Sequence, residues 1–365
     1  MGKNRGSPYS HLWRVAGLNA IERSLTPDMP SPSLSICIAT RNRAHLIGEA
    51  LENIGNQLSG EVEIVVVDGA STDNTAEVVE AKRLRFPQIR YCPQSSNSGV
   101  DGDFDKVVEL ARGEYCWPMS DDDLLVDGAV KRVLGLLESR PDLLIVDVEV
   151  CSDDFTEVLI ERRLPFRGVR RYETGDAEKL FVECAQHLTY IGGAIVRRSA
   201  WIARERRPYY GTEFILAGVI LQAPFSGTVV GLGEPLVRLR YGVANWKARS
   251  FKVWMFAWPA VVWSFSHISE SARRRVTSRE PWRSLTTLML LRAKGWYSWN
   301  EYRTAIRPKL RTAASGSLLA LVALIPGELL NSLALAYWFL FARSRKGGLY
   351  DLRHSRYFVW GRPHD

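Results

Sequence analysis

"GEYCWPMSDDDLL", residues 113–125, runs from a glycine through a short apolar segment into three consecutive aspartates. Like charges this close repel, so Asp121, Asp122 and Asp123 need positive charge beside them or free access to water. A solvated loop with a helix N-cap is the ordinary explanation for such a triplet. The flanking sequence argues for a different one.

"LSICIAT" (34–40) is a β-branched run ending in polar residues, the pattern of a buried strand. "EVEIVVVDGASTDNT" (61–75) is a second such strand and breaks at Asp68-Gly69; "QIRYCP" (88–93) is a third. "EYCWPM" (114–119) is the fourth, and it delivers the aspartates. Helical spacing separates them: Leu46, Ile47, Ala50, Leu51 and Ile54 after the first, "TAEVVEAKRLRF" after the second, "DFDKVVELARG" closed by Gly113 after the third. "DGAVKRVLGLLES" follows the triplet. This alternation predicts an α/β domain with a mainly parallel, doubly wound sheet. Ligands of such sheets bind outside the carboxyl ends of the strands, where Thr40–Arg43, Asp68–Asp73 and Ser120–Asp123 fall.

From residue 141 the pattern loosens into "DLLIVDVEV", "YIGGAIVRRSAW" and a closing β-rich "GTVVGLGEPLVRLRYG". The chain therefore divides into an extension (1–32), a sheet domain (33–240) and a helical region (241–365). The extension lacks the apolar core of a secretory signal. Cysteines at 37, 92, 116, 151 and 184 form no C-x-x-C pair, so they read as reduced core thiols of a cytosolic protein. The net charge of +8 is concentrated in the second half, at 197–207, 238–252, 272–283 and 303–311. An anionic partner follows. Lipid suits it better than nucleic acid, because the basic residues are interleaved with bulky apolar helices rather than arranged on a recognition module.

Seven of the twelve tryptophans lie between 246 and 299, a density that needs a core or an interface. Phe251, Trp254, Met255, Trp258 and Val262 share one helical face, ringed by Lys247, Arg249 and Lys252. Residues 316–346 are apolar but interrupted at Pro326-Gly327-Glu328, which leaves two pieces too short to span ~30 Å of hydrocarbon. With Tyr337 and Trp338 beside Arg343, Arg345 and Lys346, this stretch predicts an in-plane or re-entrant hairpin on a membrane surface; a buried hairpin is the rival.

Two sites stand out chemically. Asp68, at the end of an apolar strand, is placed to accept hydrogen bonds from a nucleobase or ribose. The aspartate triplet offers hard carboxylate oxygens to Mg2+ or Mn2+, ions that bind one or two carboxylates together with substrate phosphates.

"SICIATRNR", "EIVVVDGASTDNT" and "NSGVDGDFDKVVELARGEYCWPMSDDDLL" resemble the nucleotide-sugar-binding half of family 2 glycosyltransferases, which have the GT-A fold. "YIGGAIVRRSAW", "YYGTEFILAGVILQ", "RYGVANWKARSFKVWMFAWP" and "EPWRSL" resemble the abequosyltransferase-like branch of that family. The resemblance covers roughly residues 33 to 335. It implies that Thr40, Arg41 and Asn42 lie near the base and that Asp68 binds base or ribose. It implies donor-binding roles for Asp101 and Asp121 and metal ligation within the triplet, by Asp122 and Asp123, with Asp122 favoured and a cap on the next helix as the alternative for Asp123. Laid without a gap, the family's paired aspartates fall on Ser120 and Asp122. The family's catalytic base begins a helix on the acceptor side, and Glu213 is the candidate here; a capping role with Thr212 or Gly211 is its alternative. Tyr209, Tyr210 and Trp201 are candidates for stacking on sugar. Arg238, Arg240, Asn245, Trp246 and Arg249 are candidates for clamping a diphosphate.

The resulting expectation is an inverting, metal-dependent transferase on the cytoplasmic face of the membrane, monotopic or peripheral. It would move a sugar from a nucleotide-diphosphate donor to a lipid-linked glycan, with no nucleic acid involved. A non-catalytic nucleotide-sugar-binding scaffold is the alternative.

Overall fold

The computed structural model describes residues 32–243, 247–310, 312, 316–341 and 346–360. Its sheet is built on β1 (Leu34–Thr40) and β2 (Val62–Asp68), both buried along nearly their whole length. They pair in parallel, from Leu34 opposite Val62 to Thr40 opposite Asp68. β3 (Ile89–Pro93) flanks β2 and β4 (Tyr115–Met119) flanks β1, again in parallel. The crossovers are α1 (Ala44–Gly55), α2 (Thr75–Arg85) and α3 (Gly99–Leu110).

Strand alternation sorts the core into two layers. Leu34, Ile36 and Ile38 meet Ile47, Leu51 and Ile54 of α1 on one face. Cys37, Val65 and Val67 meet Phe104, Val107 and Val108 of α3 on the other. Gly113, expected to close α3, does something else. The helix ends at Leu110, and a Cβ at 113 would sit 2.6 Å from the Ser35 amide nitrogen, so glycine lets the chain pass against β1.

Beyond β4 the sheet changes character. Its order is β3-β2-β1-β4-β9-β6-β10-β5, where β5 is Leu124–Leu125, β6 Leu143–Cys151, β9 Ala194–Arg197 and β10 Val229–Arg240. β7 (Val158–Ile160) and β8 (Gly168–Tyr172) attach to β6 and β10. Of these later pairings only β6 with β10 is parallel; the rest are antiparallel. The expected mainly parallel sheet thus holds for the β3-β2-β1-β4 half, and the whole is mixed. β6 turns into β7 within seven residues, too few for the crossover that parallel pairing requires. Two helices important below are α4 (Ala129–Leu137), after β5, and α5 (Ile215–Leu221), before β10.

After Arg240 the regular elements among the described residues are all helical. The aromatic face expected at 251–262 is core. Trp258 and Val262 are buried, with Trp258 packed on Phe214 at 4.9 Å between ring centroids. Phe251 stacks on Tyr297 within a second core containing Met255, Trp282, Leu288 and Leu319. Along the tail, α6 (Leu285–Ala293) packs against α7 (Ser317–Leu324) and α8 (Gly327–Phe341). α7 and α8 meet at a bend of 89°, and Arg292 Nε donates to the Ile325 carbonyl at that corner, 2.9 Å away. Leu319, Val322, Leu330 and Asn331 face inward; Leu318, Leu321, Leu324, Leu333, Leu340 and Phe341 are each more than half exposed. No single described helix is long and apolar enough to cross a membrane. α9 (Lys346–Arg353) returns to the sheet domain by packing on β7, and its Asp351 accepts from Tyr241 Oη at 2.8 Å and Lys294 Nζ at 2.6 Å.

Residues 1–31, with nearly all of the extension, lie outside the described residues, as do Asn245, Trp246, Arg343 and Arg345.

Candidate active site

The carboxyl ends of β1, β2 and β4 converge, as parallel neighbours must. Thr40 ends β1; its Oγ1 donates to Asp121 Oδ2 at 2.7 Å. Asp68 ends β2 and is 2% exposed, accepting from the Ser71 amide at 2.8 Å and Tyr91 Oη at 2.6 Å. Asn42 adopts φ 54° and clips two loops together: its amide donates to Ser71 Oγ, and its Oδ1 accepts from the Thr72 amide. Arg41 is exposed beside this loop.

The positive charge for the triplet comes from Arg43, which the motif reading passed over in favour of Arg41. It is 8% exposed. Its Nε lies 3.3 Å from Asp121 Oδ1, its Nη2 2.6 Å from Asp122 Oδ2, and its Nη1 donates to the Val243 carbonyl at 3.0 Å. Burial, helped by the neighbouring Asp122 charge, pushes the Asp121 carboxyl up to about 6 despite Arg43. The only sequence signal was a second arginine two residues after the first; the left-handed turn at Asn42 decides which one points inward.

Asp123 is a correction. Its Oδ1 accepts from the Arg240 amide at 2.8 Å, and burial holds its carboxyl well above the usual range. It therefore ties the triplet to β10 through Oδ1. Asp122 remains the candidate, its Oδ1 accepting from Ser120 Oγ at 2.5 Å.

Asp101 is also reassigned. Both its carboxylate oxygens are committed: Oδ2 accepts from the Glu213 amide at 2.9 Å and Oδ1 from the Ile215 amide at 3.1 Å. It supports the loop that carries Glu213. That residue holds φ 70°, a left-handed backbone unusual for glutamate and of the kind kept where a site over-determines it. Thr212 Oγ1 accepts from the Phe214 amide, so the cap belongs to Thr212 and Asp101 rather than Glu213. The Glu213 side chain borders a mostly apolar cavity with Val100, Phe104, Pro118 and Leu188, and its Oε1 pairs with Arg249 Nη1 at 2.5 Å. Burial raises its carboxyl, Arg249 opposing and Asp101 adding to the rise. A half-enclosed carboxylate with a raised pKa suits a general base.

Two acids on α3 escaped the sequence reading. Asp103 takes Ser98 Oγ at 2.5 Å. Asp105 gathers Trp201 Nε1 at 2.9 Å, Arg206 Nε at 3.1 Å and Tyr210 Oη at 2.5 Å. Trp201 and Tyr209 are buried, Trp201 in the wall of the Glu213 cavity, and Tyr210 is 45% exposed. Of the expected clamp, Arg238 pairs with Glu149 and Arg240 Nε props the Asp122 carbonyl, so neither is a free anion site.

The donor set suits a hard divalent cation in a limited way. Asp121 and Asp122 present carboxylates at a strand end, but both already pair with the single charge of Arg43, and among the described residues no three His, Cys, Asp or Glu side chains converge as a cage. Such an ion fits if a diphosphate completes its shell.

A family model described as "Glycosyl transferase family 2" matches residues 35–203. Over 197 residues the chain is 32% identical to abequosyltransferase RfbV of Salmonella typhimurium, covering 50% of this chain and 58% of that protein. Over 104 residues it is 33% identical to the GalNAc(5)-diNAcBac-PP-undecaprenol beta-1,3-glucosyltransferase of Campylobacter jejuni, covering 28% and 34%. In both cases the chain spans less than two thirds of the relative. Among solved structures, S. aureus TarS 1-349 in complex with UDP-GlcNAc superposes with a TM-score of 0.53 at 14% identity, over 88% of this chain and 89% of that one. The shared fold is a mixed α/β sheet with flanking helices, of GT-A type.

Proposed function

We propose that the chain is a family 2 glycosyltransferase, as the family match over residues 35–203 supports, and that it transfers a sugar, with inversion, from a nucleotide diphosphate to a lipid-linked glycan. The observation that carries this reading is Glu213. It is enclosed, strained and raised in pKa, and it shares its cavity with Pro118 at the end of the strand that leads to Asp122.

The step balances as a single displacement. An acceptor hydroxyl oxygen attacks the anomeric carbon while its proton passes to Glu213. The bond from that carbon to the diphosphate oxygen breaks, and its electron pair leaves with the nucleoside diphosphate. With one carboxylate serving as base and attack opposite the leaving group, the anomeric configuration inverts. Asp68 and the Thr40–Asn42 loop receive the nucleoside, and Asp121, set by Thr40 and Arg43, borders the ribose. A Mg2+ or Mn2+ ion, when bound, supplies positive charge to the departing diphosphate, and Asp122 is the residue that would hold it.

A polyprenyl-diphosphate glycan is the acceptor we favour. A relative's name carries a PP-undecaprenol acceptor, and the helical half combines basic charge with an apolar outer face. Leu318, Leu321, Leu333 and Leu340 would rest on the cytoplasmic membrane surface, each contributing up to ~1.5–3 kcal/mol on burial. The bend at Pro326 and the exposed Glu328 keep the pair in the plane of the interface. The rival scaffold reading gives Glu213 no role. Incubating purified protein with labelled nucleotide sugars, Mn2+ and a short-chain lipid-linked acceptor decides: transfer with inverted configuration is expected. Donor binding with no turnover on any acceptor would favour the scaffold.

A further inference from the structure

Arg249 stands on the solvent side of Glu213: Nη1 is 2.5 Å from Oε1, and the arginine side chain is 60% exposed against 14% for the glutamate. The other charged group facing Glu213 is Asp101 of α3. The remaining walls, from α3, β4, α5 and the 188–191 segment, add no charge, only apolar side chains and the Thr189 hydroxyl. A carboxylate oxygen held by a guanidinium is poorly placed to take a proton from a hydroxyl. Only Oε1 is held in this way, but the arginine's charge also lowers the basicity of the whole carboxylate, so its departure strengthens the base.

Arginine exchanges carboxylate for phosphate easily, because both match its planar fork. Arg249 is free to make that exchange in a way its neighbours are not: Arg43 is locked between Asp121, Asp122 and the Val243 carbonyl, and Arg240 is committed to the Asp122 carbonyl and Glu49. Both expected substrates carry a diphosphate.

We propose that Arg249 is a substrate-released latch on Glu213: it holds the base in the free enzyme and moves to the diphosphate of an incoming substrate, opening Glu213 to the acceptor hydroxyl. The inference rests on Glu213 being the base. Arg249 acts through Glu213 in the free enzyme and on the substrate's diphosphate in the loaded one.

The test compares pH profiles of kcat/KM and kcat in wild type, Arg249→Gln and Arg249→Lys. The acidic limb of kcat/KM reports the free enzyme and that of kcat the loaded enzyme. Removing the cation favours the neutral carboxyl, so in Arg249→Gln the kcat/KM limb should move to higher pH, by about one unit. The kcat limb should stay, because in the loaded enzyme the arginine has already left; Arg249→Lys should restore most of the wild-type kcat/KM limb. Uridine diphosphate and farnesyl diphosphate then serve as probes of the two diphosphate sources. The one whose Kd rises about tenfold in Arg249→Gln, the worth of one charged contact, identifies the source. Limbs that move together, limbs that both stay, or two unchanged Kd values each overturn the latch. Glu213→Gln separates the failures: an active Glu213→Gln enzyme removes the base assignment itself, whereas an inactive one with unmoved Arg249→Gln limbs removes only the latch.

Discussion

Arg43 Nη2 lies 2.6 Å from Asp122 Oδ2, and both side chains are more than nine-tenths enclosed. The same guanidinium reaches Asp121, so one buried cation offsets much of the repulsion within the triplet. Breaking such a pair leaves buried charge unmatched, which costs about 3–5 kcal/mol. Arg43→Ala should lose stability on that scale in urea unfolding at pH 7. A loss below about 0.5 kcal/mol, as at an ordinary surface site, would show that water rather than Arg43 screens the aspartates.

Asp122→Asn keeps the shape of the side chain and, because Arg43 retains Asp121, should leave the unfolding midpoint nearly unchanged. Turnover should fall and lose its dependence on added Mn2+ or Mg2+, since the leaving diphosphate loses its compensating charge. Wild-type activity that is still sensitive to chelator would place the cation on another group.

Glu213→Gln should bind donor normally in calorimetry and lose transfer by ~10²–10⁴, the usual worth of a positioned base. Transfer at the wild-type rate would return Glu213 to a purely structural role at the head of α5.

His187 makes stability acid-sensitive. Burial pushes its imidazole down to about 4, and Nε2 sits 2.8 Å from the Val146 carbonyl, so the neutral ring donates there. The unfolded chain protonates near 6.5 and the folded one only near 4, so the unfolded state binds more protons between those values. Stability is full above pH 6.5 and falls as the pH drops toward 4, by about 3 kcal/mol from this residue. Urea midpoints at pH 7 and pH 5 measure the slope. In His187→Gln that slope should flatten even though the variant is less stable at both pH values; an unchanged slope would assign the acid sensitivity to other groups.

The outer face of the bent pair can be tested without removing it. Deleting residues 316–365 would strip Leu319, Val322, Leu330 and Leu352 from buried clusters, so truncation confounds anchoring with folding. Replacing the exposed Leu321, Leu333 and Leu340 together by glutamate leaves those clusters intact. Flotation on anionic vesicles should be lost in the triple variant while hydrolysis of a soluble donor persists. Unchanged flotation would mean that the membrane contact lies elsewhere.

The parallel half of the fold was legible because β1, β2 and β4 are continuous apolar runs bounded by polar residues, and their ends fell within a residue of expectation. β5 and β8 were not. Leu124–Leu125 is two residues long and hidden behind the aspartates, and Gly168–Tyr172 is largely exposed at the sheet margin. In the site, the residues carried by strand ends, Thr40, Asp68, Asp121 and Asp122, lie where the strand pattern put them, at the carboxyl ends of neighbouring strands. Those whose direction depends on a turn or a helix phase do not: Arg43 points inward only because Asn42 is left-handed, and Asp103 and Asp105 look in sequence like a solvated helix start. Asp101 was recognised as important, but its partners lie more than a hundred residues away, a distance that no local spacing encodes.

Those partners have an engineering consequence. The two amide hydrogen bonds that Asp101 accepts fix the Glu213 loop to α3, a helix of the parallel half of the fold, rather than to the 207–222 segment in which Glu213 is encoded. If Glu213 is the base as proposed, exchanging residues 207–222 between two related chains would transplant it without its alignment jig. A chimera that also carries the matching 97–105 segment should keep its rate; one that omits it should place the carboxylate wrongly however well the acceptor fits.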